Sequence, residues 1–164
     1  MPFVIRDFQL KDFETLWLLD QDCFSPGIAY SRQELKTYVR HAGAITLVAE
    51  KLVAEKETVP GRVAQKETRR LVLGFLVAHP GTTGHIITID VERTARHSGV
   101  GSLLLRGAEE RLRAAGSRSV GLETAVDNLS ALSFYKRHGY SVIKTWPRYY
   151  SNGVDALVLK KVLG

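Results

Sequence analysis

The 164-residue chain has a single cysteine, Cys23, one methionine and no long hydrophobic run. A lone cysteine excludes an internal disulfide and leaves no spaced set of thiolates to hold a metal ion. The longest apolar stretches fall well short of the roughly 18 residues that cross a bilayer, so no membrane association is expected. The first residues, Met1-Pro2-Phe3-Val4-Ile5-Arg6-Asp7, show no basic segment followed by a long apolar one and read as no secretory signal. These absences together predict a cytoplasmic protein. No internal repeat is visible, and no basic run is interleaved with aromatics as single-strand nucleic-acid binders require.

What is present is enough apolar residue, 45% of the chain, for one buried core, so residues 1–164 are expected to form a single domain. Lys and Arg exceed Asp and Glu by 23 to 17, a formal net charge of +6. That excess fits a nucleic acid, an acidic partner such as the ribosome, a polyanionic cofactor, or an ordinary basic surface. Charge alone does not choose among them.

Residues 3–8 alternate as a short strand, and Phe13, Leu16 and Trp17 then recur at helical spacing up to Cys23-Phe24. Ser25-Pro26-Gly27 breaks the pattern. Ser31-Arg32-Gln33-Glu34 is a capping box opening a second helix, with Leu35, Tyr38 and Val39 inward and Gly43 placed to end it. Residues 44–50 and 71–79 are β-rich, and Pro80-Gly81 closes the second run. Between them, residues 51–70 are rich in Lys, Glu and Arg, with Pro60-Gly61 near the middle; they predict a long, mobile hairpin connection. A strand at 85–91 precedes a helix from Val100 to Gly116 whose Leu103, Leu104, Ala108 and Leu112 share one face. A strand at 119–125 follows, then a helix at 129–138 with Asn128 as N-cap and Gly139 at its end. Strands at 140–146 and 154–161 complete the chain. The order β-α-α-β-β-β-α-β-α-β-β predicts a layered, mixed α/β fold.

The most informative turn is Arg96-His97-Ser98-Gly99-Val100-Gly101, between the strand at 85–91 and the following helix. A helix's first turn has free N–H groups and lies at the positive end of its dipole, which together suit a phosphate or pyrophosphate. Gly99 and Gly101 would let that backbone approach the ligand without an intervening side chain.

Arg96-x-x-Gly99-x-Gly101 after a strand resembles the acetyl-CoA pyrophosphate motif, Gln/Arg-x-x-Gly-x-Gly/Ala, of the GNAT N-acetyltransferase superfamily. Leu122-Glu123-Thr124-Ala125-Val126-Asp127-Asn128, with Ala131, Phe134-Tyr135 and His138-Gly139-Tyr140, is similar to a block of RimI-type protein N-terminal acetyltransferases, which modify a ribosomal-protein alanine. The tail Arg148-Tyr149-Tyr150…Gly153-Val154-Asp155-Ala156 resembles the Tyr-Tyr…Asp-Ala signature of the same group. Three motifs in order cover roughly residues 85–160. The resemblance implies a GNAT fold of α/β (α+β) class: a central, mixed, mostly antiparallel seven-stranded sheet flanked by about four helices. It also implies an acetyl-CoA-dependent N-acetyltransferase working by direct attack in a ternary complex. The implied acceptor is the α-amine of a protein N-terminus, such as that of a ribosomal protein. Two segments depart from the pattern. Val154 stands where relatives often carry an acidic residue, and Pro26-Gly27-Ile28-Ala29-Tyr30-Ser31 replaces their Pro-Trp-Ser.

Acyl transfer from a thioester to an amine requires an amine that loses its proton, a stabilised oxyanion and a protonated departing thiolate. No covalent nucleophile is needed, and Cys23 lies far in sequence from the matched blocks. Glu123 sits in an apolar-alternating strand, unusual for a carboxylate unless it faces a cleft, and the resemblance implies that it is the general base; otherwise it is a solvated residue on the outer face. The resemblance makes Tyr135 the general acid, with a core aromatic as the alternative and Phe134 able to fill the core in its place. It further implies that the pantetheine arm lies along the strand carrying Ile89 and Val91, with a backbone N–H near Val91 holding the oxyanion and Asn128 contacting the arm. Arg96 and His97, the turn through Ser98, Gly99, Val100, Gly101 and Ser102, and the field of Arg93 are expected at the cofactor's phosphates. His85 is expected either to hold a catalytic water or to be a plain strand-end histidine. Tyr149 and Tyr150, with Phe24 and Pro26, are expected to border the acceptor groove. The expected partners are acetyl-CoA and a peptide or protein amine, with no specific nucleic acid and with a monomer or weak dimer as the working state. The alternatives are a lysine or small-amine acetyltransferase of the same fold and a non-catalytic acyl-CoA-binding regulatory module; retention of both Glu123 and Tyr135 argues against the latter.

Overall fold

A computed structural model describes residues 3–56 and 66–164. Among them run, in chain order, β1 (Val4–Asp7), α1 (Phe13–Cys23), α2 (Arg32–Arg40), β2 (Ile45–Lys56), β3 (Lys66–His79), β4 (Thr83–Val91), α3 (Val100–Ala114), β5 (Ser119–Ala125), α4 (Leu129–Arg137), β6 (Ser141–Trp146) and β7 (Ala156–Val162). The strands form one seven-stranded sheet in the order β1-β2-β3-β4-β5-β7-β6. Every neighbouring pair is antiparallel except β4–β5. Those two are joined by α3, the crossover that parallel neighbours require. The architecture is the one the resemblance implied.

Adjacent strand residues point to opposite faces, and the sheet is covered on both. Leu47, Leu76, Ile86 and Leu122 meet Leu104, Leu105 and Leu112 of α3 on one side. On the other, Val48, Phe75 and Val77 meet Leu16 of α1 and Leu35 of α2. The capping box at α2 is formed: Glu34 N donates to Ser31 Oγ (3.1 Å) and Ser31 N to Glu34 Oε1 (3.0 Å). Asn128 caps α4 as expected, accepting from Ala131 N at 3.2 Å. No helix of the described residues is long and apolar enough to cross a membrane.

The charged stretch at 51–70 departs from expectation. Part of it is strand: β2 and β3 stay paired in register from Lys51↔Leu71 to Lys56↔Lys66. Residues 57–65, including Pro60-Gly61, lie outside the described residues. This ribbon projects beyond the body of the sheet, because β1 pairs only with Leu47–Glu50 of β2. Strand pairing is made by the backbone, each N–H and C=O finding its partner across the ladder, so a charged sequence does not by itself prevent strand formation.

Candidate active site

β4 and β5 pair only at Thr83↔Ser119, Gly84↔Val120 and His85↔Gly121. Past that point each strand follows its other neighbour, β4 with β3 and β5 with β7, and a gap opens between them. β4 is also bulged. Val77 opposes Thr88 and Ala78 opposes Ile86, so Ile87 is the extra residue, and its carbonyl accepts a hydrogen bond from the Tyr30 hydroxyl at 3.1 Å. The gap widens into a cavity of about 830 Å³ walled by β4, β5, the first turn of α3, α4, the segment after α1 and the tyrosines after β6. The pairing register, not any single residue, makes the cleft.

Local chemistry shapes the α3 end. Glu92 N ties back to Leu73 O (2.8 Å), and the Glu92 carboxylate accepts from Thr94 N (2.8 Å) to start a short 3-10 turn. His97 (φ +63°) and Gly99 (φ +92°) then adopt left-handed backbone, and α3 begins. The first intrahelical donor is Leu103 N, to Gly99 O, so the N–H groups of Val100, Gly101 and Ser102 have no acceptor within the helix. A Cβ on Gly99 would meet nothing within 4 Å, yet its backbone angle still favours glycine. At Gly101 a Cβ would stand 3.3 Å from the Phe134 ring, so glycine there also admits α4. Arg96, His97, Gly99, Gly101 and Ser102 line the cavity. Val100 and Ser98 do not: the Val100 side chain is buried in the core and the Ser98 hydroxyl donates to Ala95 O, which leaves them only their backbone. Arg93 is outside the wall. Arg96 Nε donates to Val91 O at 3.2 Å, so this guanidinium is partly engaged by the protein.

Glu123 faces the cavity, and His85 Nε2 donates to its Oε2 at 2.6 Å; their side chains are 16% and 40% exposed. The carboxylate is thus in the cleft and not on a solvated outer face. His85 stands behind it, outside the cavity wall. Ile89, Val91, Asn128 and Tyr135 all border the cavity. Tyr135 is only 6% exposed and belongs to the core cluster, its ring edge-on to Phe134 and Tyr140. The expected division, with Phe134 packed and Tyr135 free, does not hold: Tyr135 does both, and Phe134 also lines the cleft. Burial pushes the Tyr135 hydroxyl well above its ordinary value, so it is a protonated donor at neutral pH.

Phe24, Ser25 and Ile28 line the opposite wall with Tyr149 and Tyr150; Pro26 does not reach it. The Tyr149 and Tyr150 rings meet edge to face at 5.0 Å, and burial raises both hydroxyls. The two loops are tied together: Ser151 Oγ donates to Gly27 O at 2.9 Å, and a Cβ on Gly27 would come within 2.9 Å of Asn152 Cβ.

Cys23, remote from the matched blocks in sequence, is beside them in space. It lines the cavity, donates from Sγ to Val91 O (3.5 Å) and receives Arg96 Nη2 at 3.8 Å. Burial, then the charge of Asp90, pushes its thiol up to about 11. Tyr30 was also missed; no local pattern distinguishes it, since its partners come from α1 and β4. Asp90 carried a signal, being the one acidic residue in the apolar run from Ile86 to Val91, the same oddity that marks Glu123.

The sequence matches the acetyltransferase (GNAT) family over residues 13–140. It is 38% identical over 80 residues to N-alpha-acetyltransferase 30 of Schizosaccharomyces pombe, a stretch covering 48% of this chain and 53% of that protein. The chain spans about half the length of the curated relatives it matches. The crystal structure of Ard1 from Thermoplasma volcanium superposes with a TM-score of 0.78 at 26% identity, covering 99% of this chain and 98% of that one. The ribosomal-protein-S18-alanine N-acetyltransferase of Escherichia coli has a TM-score of 0.77 at 16% identity over 99% and 95% of the two chains, a likeness of fold. The matched stretch contains β4, β5, α3 and α4, whose parting and capping build the cleft, and GNAT enzymes use acetyl-CoA. The chain belongs to the acetyltransferase (GNAT) family.

Proposed function

We propose that this cleft takes acetyl-CoA and an amine together and transfers the acetyl group directly between them, the acceptor being the α-amine of a protein N-terminus. The observation that carries the reading is the Glu123–His85 pair at 2.6 Å, on the wall of the gap between β4 and β5. The cofactor fits the other end. The free N–H groups of Val100, Gly101 and Ser102 and the open space over Gly99 form a cradle for its pyrophosphate, Arg96 adds positive charge, His97 lines the same wall, and β4 at Ile89 and Val91 with Asn128 borders the arm. When bound, acetyl-CoA supplies an acyl group already activated as a thioester.

The chain's own groups do the rest. An α-amine has a pKa of about 8 and is mostly protonated at neutral pH. Glu123 Oε2 accepts the excess proton, directly or through a water held with His85. The buried Tyr135 hydroxyl donates its proton to the departing sulfur. The Cys23 thiol, pushed up to about 11, is neutral at pH 7 and a poor nucleophile, which supports direct transfer over an acetyl-enzyme route.

An N-terminal amine suits the acceptor side because the two loops bordering it are joined by the Ser151–Gly27 bond, so an acceptor enters most easily end-on. The N-alpha-acetyltransferase relatives favour the same acceptor class. A ribosomal protein is the proposed example, with residues 1–164 acting as one cytoplasmic domain, monomeric or weakly dimeric. The test is release of coenzyme A thiol with peptides carrying a free α-amine, a blocked α-amine with free lysine, or neither. Release only with the free α-amine is expected. Equal release from the blocked, lysine-bearing peptide would replace this reading with a lysine acetyltransferase.

A further inference from the structure

Beneath the cleft, Asp20 of α1 and Asp90 of β4 are 0% and 1% exposed. Each has one oxygen satisfied by the protein. Tyr30 N donates to Asp20 Oδ2 at 2.7 Å, and Thr88 Oγ1 donates to Asp90 Oδ1 at 2.5 Å. The remaining oxygens, Asp20 Oδ1 and Asp90 Oδ2, have no hydrogen-bond partner among the described residues, and the packing of α1 on β4 brings the two carboxyls close enough to perturb each other. Two buried carboxylates at such range cannot both ionise, and a proton held between them satisfies both.

The elements around the pair show what this joint carries. Tyr30 is bonded through every polar atom it has: its N–H to Asp20, its carbonyl from Trp17 Nε1 (3.1 Å) and Gln21 Nε2 (2.6 Å), and its hydroxyl to Ile87 O at the β4 bulge. Tyr30 ends the segment that brings Phe24 and Ile28 to the acceptor wall. We propose that Asp20 and Asp90 are a positioning pair: a shared proton fastens α1 to β4, and through Tyr30 it sets the acceptor wall of the cleft, which loosens when that proton is lost. Only the consequence for acceptor binding rests on the acetyltransferase reading above; the shared proton does not.

Other charged and titratable groups face the pair from each neighbouring element. Cys23 comes from α1, Glu34 from α2, Arg96 from the turn after β4 and Tyr135 from α4. Burial, then the charge of Asp20, raises Asp90 well above the usual carboxylate range; burial and Glu34 raise Asp20, while its bonds to Asp90 and Tyr30 N–H oppose the rise. The pair therefore keeps its shared proton above the ordinary carboxylate range. The folded chain then binds about one more proton here than the unfolded chain, from the ordinary Asp value upward, so this contribution to stability declines as pH rises.

Carbon-13 NMR of the aspartate side-chain carboxyls in the full chain reads the pair directly. One carboxyl is expected to stay protonated through neutral pH and to vanish from the spectrum of Asp90→Asn; ordinary acidic titration of every aspartate would overturn the proposal. Asn at 90 supplies a permanent donor to Asp20. In Asp90→Asn, therefore, the acceptor KM should lie within about twofold of the parent at neutral pH and lose the parent's rise at alkaline pH. Asp90→Ala should raise the acceptor KM about tenfold while leaving coenzyme A affinity unchanged. An unchanged KM in Asp90→Ala, or the same alkaline rise in Asp90→Asn, would overturn the positioning role. If no amine is acetylated, the functional reading fails while the carboxyl spectrum still decides the pair.

Discussion

Glu123→Gln is the sharpest test of the catalytic assignment. Glutamine keeps the side chain's size and can still bond to His85, 2.6 Å away, but it cannot take a proton. A positioned general base is worth about 10²–10⁴ in rate, so kcat/KM should fall by that factor, a loss of about 2.7–5.4 kcal/mol at the transition state. Glu123 stands on β5, away from the α3 turn, so coenzyme A affinity by calorimetry should stay within about twofold and the melting temperature should barely move. On the proposed mechanism His85 acts through Glu123. His85→Gln alone should cost about tenfold, and the double variant should be no slower than Glu123→Gln, since groups acting as one unit are not additive. Turnover is read as thiol release with saturating acetyl-CoA and a free-amine peptide. Glu123→Gln within threefold of the parent, or losses that multiply in the double variant, would refute the reasoning.

Tyr135→Phe keeps the buried ring and removes only the hydroxyl; kcat should drop about 10–100-fold with little change in melting temperature, and normal turnover would remove the acid role. Incubated with acetyl-CoA alone, the protein should keep its unmodified intact mass, because the Cys23 thiol at about 11 is neutral; stoichiometric acetylation of Cys23 would reopen the covalent route. At the far end of the sheet, Arg6 donates to both Asp12 oxygens at 2.8 Å and holds that carboxyl below its ordinary value of 3.8, despite burial. Its contribution is complete above the unfolded value and is lost as pH falls through the lower folded one. Asp12→Asn should therefore flatten the acid limb of a stability–pH curve, and an unchanged limb would contradict the assignment.

The elements were legible because they are written in short-range chemistry. The Ser31–Glu34 box and the Asn128 cap each span only a few residues and formed as read; the apolar face of α3 holds for Leu104, Ala108 and Leu112, but Leu105 is buried where Leu103, expected there, is exposed. The one misjudged stretch, 51–56 and 66–70, was read from charge, although its pairing depends on a partner strand being present. The glycine turn was legible for the same local reason, since a helix start carries its own free donors. Glu123 stood out as a carboxylate in an apolar strand, and Asp90 showed the same mark without a partner in view.

Residue order alone determined which segments become helix or strand, the ribbon at 51–56 and 66–70 excepted, and where one helix offers its N-terminus. Only the tertiary structure decided that β4 and β5 pair for three residues and then part, which opens the cleft and sets Glu123 beside His85. It also decided that Cys23 reaches Val91, that Asp20 meets Asp90, and that Tyr135 serves both core and cavity. The physical reason is range: caps and periodicity act within a few residues, whereas the β4–β5 register and a buried carboxyl's neighbour are set by contacts between residues 36 to 70 positions apart.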